Sequence, residues 1–467
     1  MNARTETDSL GTIDIDADRY WGPQTERARR LFRIGREHFP PVLVRAVGLQ
    51  KQAAAEANRQ LGELPPEIAD PIAAAAAEIA EGKMDAEFPL PVWQTGSGTQ
   101  TNMNANEVIA NRANERLGGK RGSRSPIHPN DHVNRGQSSN DSFPTVMHIA
   151  AAEEVQHRLV PALRTLQASL ERRATEWADI VKVGRTHMMD AVPVTLGQEF
   201  AAWARQVELG TARVEGVLPR LLSLPQGGTA VGTGLNRHRD FDRVFCERLS
   251  ALTGLSFTPN PNKFEGMGAH DVFVELSGML NVLAVSLNKL GNDIRLLGSG
   301  PRSGLAELTI PADGLSSSIM PGKTNPTQSE ALTMVCAQVM GNHVAVTFGA
   351  AQSFLELNVF KPLIIHNVLQ SAGLLADAAE SFAHNMVDKL EPARERIAEN
   401  LAKSLMLVTA LNPRIGYDKA VRIGKKALAE NMTLRDAADA LGFVRPEDFD
   451  RWVQPGEMTE PGATLGE

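Results

Sequence analysis

Cysteine is nearly absent from this chain of 467 residues: Cys246 and Cys336 are the only two. Both sit in apolar, helix-like surroundings without metal-ligand spacing, which excludes a disulfide framework. Such usage fits a reducing, cytoplasmic compartment. One uncharged, apolar-rich run covers residues 276–288 and is closed by Glu275 and Lys289. It is too short to span a bilayer and reads as a buried helix, so no membrane partner is expected. Residues 1–8 are polar and lack the apolar core of a signal peptide. Positive charge is not in excess: the net charge is −7, which argues against nucleic acid as a partner. Strand signals are sparse, and neither a solenoid repeat nor a low-complexity tail occurs.

What the chain does have is helical periodicity. After Pro144, Val155, Leu159, Leu163, Leu166 and Leu170 fall on one helix face. Thr195 and Gln198 have the form of a capping box ahead of a second helix, whose face carries Leu196, Phe200, Trp203 and Val207. Proline is absent between Pro261 and Pro301, where residues 272–297 are largely apolar, and again over 327–360. A helix apolar around most of its circumference is buried on most sides. Several such helices predict a mostly α fold built on a long-helix bundle that also packs against other copies, a homo-oligomer. The composition breaks divide the chain into segments 1–137, 138–360 and 361–467.

Four polar stretches interrupt the helices: 94–100, 128–141, 184–187 and 316–325. In the last, Gly314 lets the chain bend, three serines supply hydroxyls and Lys323 supplies a cation. Pro326 suits the first turn of a following helix, with Asn325 as its N-cap. Such a loop can hold a carboxylate at the helix N-terminus, and it can equally be a surface loop with an ordinary cap. His128, Asp131 and His132 lack a third strong partner, so no metal is expected there. The glycine-rich stretch 227–234 has neither the strand–turn–helix context nor the Gly-Lys-Ser/Thr ending of a nucleotide loop, and reads as a turn between helices.

The string Ser317-Ser318-Ile319-Met320-Pro321-Gly322-Lys323-Thr324-Asn325-Pro326 resembles the signature loop of the fumarase/aspartase superfamily. Ser316 departs from it, standing where glycine is usual. Trp21-Gly22-Pro23-Gln24-Thr25, Thr95-Gly96-Ser97-Gly98-Thr99-Gln100, Gln137-Ser138-Ser139-Asn140-Asp141, Glu356-Leu357-Asn358-Val359-Phe360-Lys361-Pro362 and Ile415-Gly416-Tyr417-Asp418-Lys419 resemble class II fumarases. Within the superfamily, His187 in Arg185-Thr186-His187 stands where aspartases usually carry glutamine. That weighs against the first rival, an aspartate ammonia-lyase. The second rival, a helical assembly that has lost its chemistry, would be expected to have lost Ser317, His187 or Lys323, and all three are present.

The resemblance implies a three-domain fold whose central helices assemble into a homotetramer, with active sites shared between three subunits. It implies reversible hydration of fumarate to (S)-malate, a step of the tricarboxylic acid cycle, on a small dicarboxylate with no cofactor and no metal. Ser317 is then the base that takes the carbon-bound proton, favoured as alkoxide by Lys323 and loop amides. His187 serves the hydroxyl side through a water, and Glu330 orients it; Thr327 and Glu330 also have capping-box spacing. The substrate carboxylates fall to Ser97, Gly98, Thr99, Ser138, Ser139, Asn140, Thr186, Ser318, Lys323 and Asn325. These groups bind an anion with little added charge, which reconciles an acidic chain with an acidic substrate. His128, Pro129, Asn130 and Asp131 resemble a second, non-catalytic dicarboxylate site.

Overall fold

The structure is a computed structural model and describes residues 3–314 and 319–462. Helices dominate it. The strands described here pair only as two-stranded ladders. The chain forms two compact units. One comprises Met1–Pro161, Gly210–Ala284 and Val335–Ala376; the other comprises Ala162–Leu209, Val285–Met334 and Asp377–Glu467.

The first unit opens with an antiparallel hairpin, Ala3–Asp8 on Gly11–Asp16. The short helix Pro23–Leu31 then starts on a buried carboxylate. Glu107 accepts the amide N–H of Gly22 (2.9 Å), Gln24 (2.8 Å) and Thr25 (3.1 Å), and the Thr25 hydroxyl (2.6 Å). A helix cannot satisfy its own first N–H groups, and an anion there also meets the favourable end of the dipole. Helices Pro41–Gln60 and Pro66–Ala80 pack next to each other. The second is largely alanine, and Gly48 on the first lets the two backbones meet. A Cβ on Gly48 would lie 2.4 Å from the Ala80 nitrogen and 2.8 Å from the Ala76 carbonyl oxygen.

The helix expected after Pro144 is present with its start corrected. It begins earlier, at Ser139, holds Pro144 within its first turns, and passes through the π-turn Val155–Leu159 into Val160–Glu176. Val155, Leu159, Leu163, Leu166 and Leu170 are all buried.

In the second unit, Val181–Thr186 and Met189–Thr195 form an antiparallel hairpin with a register shift at Gly184. The sequence reading missed it. The Thr195 capping box is formed as expected: Thr195 N–H donates to Gln198 Oε1 (2.9 Å), and Gln198 N–H to Thr195 Oγ1 (3.0 Å). It starts helix Leu196–Glu215, with Leu196, Phe200, Trp203 and Val207 buried. The C-terminal part has its own small core around Leu411, Ile423, Ala427, Ala437 and Ala438.

Three helices are long: Asp271–Leu297, Thr327–Ala351 and Lys361–Asn385. The proline-free run over 327–360 is helical only as far as Ala351, and a hairpin, Ser353–Phe354 on Leu357–Asn358, follows. The first two are long and apolar enough to cross a membrane by length and composition alone. The expectation of burial on most sides is not met within one chain. On Thr327–Ala351, Leu332, Cys336, Val339 and Val346 are buried along one face. Met334, Val344 and Phe348 lie on the opposite side and are 67%, 68% and 61% exposed.

The Gly48 contact sets the first prediction. Gly48→Val forces apart two helices that meet backbone to backbone and destabilises the protein by about 1–3 kcal/mol, the usual cost of overpacking. A lowered thermal midpoint relative to the parent is expected; an unchanged midpoint would refute the close approach.

Candidate active site

In the first unit, two helix N-termini carry the residues nominated from the 94–100 and 137–141 stretches. Helix Thr99–Arg116 starts on Gly98, whose φ of +75° is left-handed. A Cβ there would also lie 2.2 Å from the Phe143 ring, so glycine is required twice over. The neighbouring Gly96 lies against the Val359 carbonyl and accepts the Lys361 N–H (3.0 Å). Helix Ser139–Glu154 starts on Ser138 with a capping box to Asp141. Hydroxyls join the two helix starts: Ser97 Oγ to Thr99 Oγ1 at 2.7 Å, and Thr99 Oγ1 to Ser139 Oγ at 2.8 Å. Asn140 Nδ2 donates to the Ala230 carbonyl (2.8 Å). Ser97, Thr99, Ser138, Ser139 and Asn140 are all half-buried. Oriented hydroxyls and helix dipoles with no cation among them form a neutral cradle suited to a carboxylate.

Behind this cradle lies a buried polar network that the sequence reading did not identify. Asp141 is 0% exposed, and its burial pushes the carboxyl up to about 6. Lys51 is also buried, and burial pushes its amine down to about 7. Lys51 Nζ donates to Gln137 Oε1 (2.9 Å) and Asn134 Oδ1 (3.2 Å), while Gln50 Nε2 bridges Gln137 Oε1 (3.0 Å) and Gln226 Oε1 (2.9 Å). Lys361 is another buried lysine, pushed by burial to about 7, with Nζ on the Asn358 carbonyl (2.7 Å). The available signal was a single lysine inside an apolar or alanine-rich run, a placement that surface helices rarely need.

The 128–131 stretch leads into the π-turn Pro129–Val133. His128 Nδ1 accepts the amide N–H of Asn130 (3.3 Å) and Asp131 (3.2 Å). The Asp131 carboxylate lies 3.3 Å from the same nitrogen. Asp131 and Asn130 are exposed and Pro129 is buried. Among the described residues, no group of three His, Cys, Asp or Glu is arranged to hold a metal ion.

The remaining nominated residues belong to the second unit. Thr186 ends one hairpin strand, and His187 and Met188 form its two-residue turn, with φ of +57° and +62°. Positive φ at both central positions is the sign pattern of a type I′ turn, normally filled by Asn-Gly. For side chains like these it costs roughly 1–3 kcal/mol per residue and persists only where the surroundings impose it. The anchor is next door. Arg185 grips the buried Glu307 with two bonds (2.6 and 3.1 Å), and Glu307 also meets Lys182 at 3.2 Å. Thr186 and His187 themselves are exposed.

In the signature loop, Ser316, Ser317 and Ser318 lie outside the described residues. Gly314 has the expected left-handed φ, +75°. Lys323 Nζ donates to Asn325 Oδ1 (2.9 Å). Lys323, Asn325 and Glu330 line one cavity of about 520 Å³ together with Asn292, Arg295 and Ser299. The following helix starts one residue later than expected: the Pro326 carbonyl accepts the Glu330 N–H (3.1 Å), so Pro326 precedes the first turn. The Thr327 hydroxyl donates to Asp313 (2.5 Å).

Residues 11–341 match a lyase family, and residues 407–460 match the fumarase C C-terminus. A class II fumarate hydratase of Methylorubrum extorquens is 58% identical over 99% of this chain and 98% of its own. A mitochondrial fumarate hydratase of Danio rerio is 57% identical over 98% of this chain and 90% of its own. The crystal structure of a class II fumarase from Schistosoma mansoni superposes with a TM-score of 0.96 at 44% identity, over 99% of this chain and 100% of that one. A lyase match over most of the chain, and relatives this similar along its whole length, make the chain a member of the class II fumarate hydratase family.

Proposed function

We propose that this chain hydrates fumarate reversibly to (S)-malate, acting as a cytoplasmic enzyme of the tricarboxylic acid cycle. The observation that carries the reading is the neutral cradle: two helix N-termini joined by the Ser97–Thr99–Ser139 hydroxyl chain. It binds a carboxylate without placing a competing charge beside the reacting carbons.

The chemistry then sets the remaining roles. Malate loses a proton from the carbon beside one carboxylate and a hydroxyl from the next carbon. The first loss builds negative charge that must be stabilised where it forms. Ser317 takes the proton, with Lys323 and Asn325 holding the charged carboxylate and Ser318 and loop amides supporting it. Lys323 and Asn325 are already bonded to each other and share a cavity with Glu330. His187 delivers a proton to the departing hydroxyl through a water, with Thr186 beside it and Glu330 as its orienting carboxylate. Gly98, Ser138 and Asn140 complete the hold on the substrate. His128, Pro129, Asn130 and Asp131 form a secondary dicarboxylate site at the surface.

The active form is a homotetramer in which each site draws on three subunits. Segments 1–137, 138–360 and 361–467 serve as its domains, and the middle one supplies the assembly helices. The apolar second face of Thr327–Ala351 supports this. Met334, Val344 and Phe348 have the exposure of an uncovered interface, and a soluble chain gains by burying them against a copy of itself.

Two experiments decide these points. Malate added to purified protein should raise fumarate absorbance. No change would reject the hydratase reading, and a rise with aspartate alone would transfer the chain to ammonia-lyase chemistry. Ser317→Ala and His187→Asn should each lower kcat by about 10²–10⁴, the usual contribution of a placed acid or base; a near-parental rate reassigns the residue. In the second, Val344→Lys with Phe348→Lys should yield a smaller species in sedimentation velocity that has lost activity. A fully active monomer would end the shared-site proposal.

A further inference from the structure

We infer that Asp141 is a positioning residue for the dicarboxylate, fixing the aim of the Ser139 hydroxyl and the Asn140 amide by clamping the Ser139 helix start to the 226–230 loop. This rests on the cradle reading above. As the third residue of a capping box, Asp141 needs only one oxygen, and Oδ1 accepts the Ser138 N–H (2.9 Å). Its Oδ2 is used differently. It accepts the Gly227 N–H (2.9 Å), the Thr229 N–H (2.9 Å) and Gln226 Nε2 (3.2 Å). Those donors lie more than 80 residues away in sequence, as their separations of 85, 86 and 88 show. A helix cap alone does not require them.

The loop so gathered is conformationally demanding. Gly227 has φ +92° and Thr229 has φ +54°. Its next residue returns a contact to the cradle, because the Ala230 carbonyl accepts Asn140 Nδ2 (2.8 Å). The contacts therefore close a ring: helix start, carboxylate, loop, carbonyl and back to the helix start. One Asn140 N–H is fixed by Ala230, which sets the direction of the other. Ser139, one residue earlier, points its hydroxyl to Thr99. The charge facing this carboxylate is Lys51, whose Nζ bonds Gln137 and Asn134, and Gln137 directly precedes Ser138. An amide at position 141 has one acceptor oxygen and turns N–H groups toward at least one set of donors. The ring then opens at the Ser138 end or the loop end.

The test uses the full-length protein. Asp141→Asn should raise KM for malate at least tenfold while kcat stays within about threefold, because Asp141 does not touch the reacting atoms. A purely structural role would instead lower the folded fraction and the thermal midpoint and leave KM of the folded fraction unchanged. Gln226→Met, which removes one Oδ2 donor at similar volume, should raise KM in the same direction by less. It decides the matter should Asp141→Asn fail to fold. Titration calorimetry with succinate, a dicarboxylate that cannot react, should show affinity falling with KM. Parental KM and succinate affinity in the folded variants would overturn the inference. Parental protein that binds succinate but leaves malate unchanged would reject the hydratase reading alone, with the inference still judged on succinate. Parental protein that binds no succinate would overturn both the cradle and the inference.

Discussion

A helix cannot satisfy its own first N–H groups, and that constraint organises much of this molecule. Glu107 answers it for Pro23–Leu31, the reciprocal Thr195–Gln198 pair answers it for Leu196–Glu215, and Asp141 answers it in part for Ser139–Glu154. At the starts of Thr99–Arg116 and Ser139–Glu154 the half-buried groups are hydroxyls and an amide, with the Asp141 carboxylate fully buried behind them. The same backbone geometry that takes a protein carboxylate in one place is thereby available to a substrate carboxylate in another. A net charge of −7 is then no obstacle to an anionic ligand, since what attracts it is a local array of dipoles.

The parts of the structure legible in the sequence are those whose determinants are close together in the chain. The Thr195 capping box needs residues three apart and a helix face needs residues three or four apart, so both were readable and both formed. The 181–195 hairpin was missed because its turn is His187-Met188 rather than Asn-Gly, the cue that normally announces one. The network behind the cradle was missed for a different reason. Gln50 meets Gln226 across 176 residues, and Lys51 meets Gln137 across 86. No short pattern encodes pairs so far apart, and only an oddly placed lysine hinted at them. The candidate site was legible as motifs, each on its own loop. Ser97, Thr99 and Ser139 are linked by hydroxyl contacts within one unit, and Lys323, Asn325 and Glu330 line one cavity in the other.

Buried charge in the second unit does comparable work for the hairpin. Lys182 and Glu307 are almost fully buried, and isolated ions in that setting would be strongly unfavourable. They persist because Glu307 accepts both Arg185 nitrogens while Lys182 bonds Glu199 at 2.7 Å. Burial raises the Glu307 carboxyl, yet Arg185 and Lys182 outweigh it and hold the group below its ordinary value. The cluster ends one residue before Thr186, so its rigidity reaches the turn that carries His187.

That turn sharpens the case for assembly. Two non-glycine residues with positive φ are held in place by a buried ion cluster, which is an expensive way to make an ordinary surface turn. Yet His187 is exposed, with Met188 and Met189 beside it 76% and 70% exposed. In the role proposed for it, protonating the departing hydroxyl, His187 would need bulk water kept away, because solvent weakens the electrostatic terms that stabilise the developing charge. Rigid geometry and open solvent on one histidine are hard to reconcile within a single chain. The assembly proposed above would reconcile them by bringing apolar surface from another copy over the turn. In that assembly the two exposed methionines would form its nonpolar rim, as Val344 and Phe348 would along the long helix.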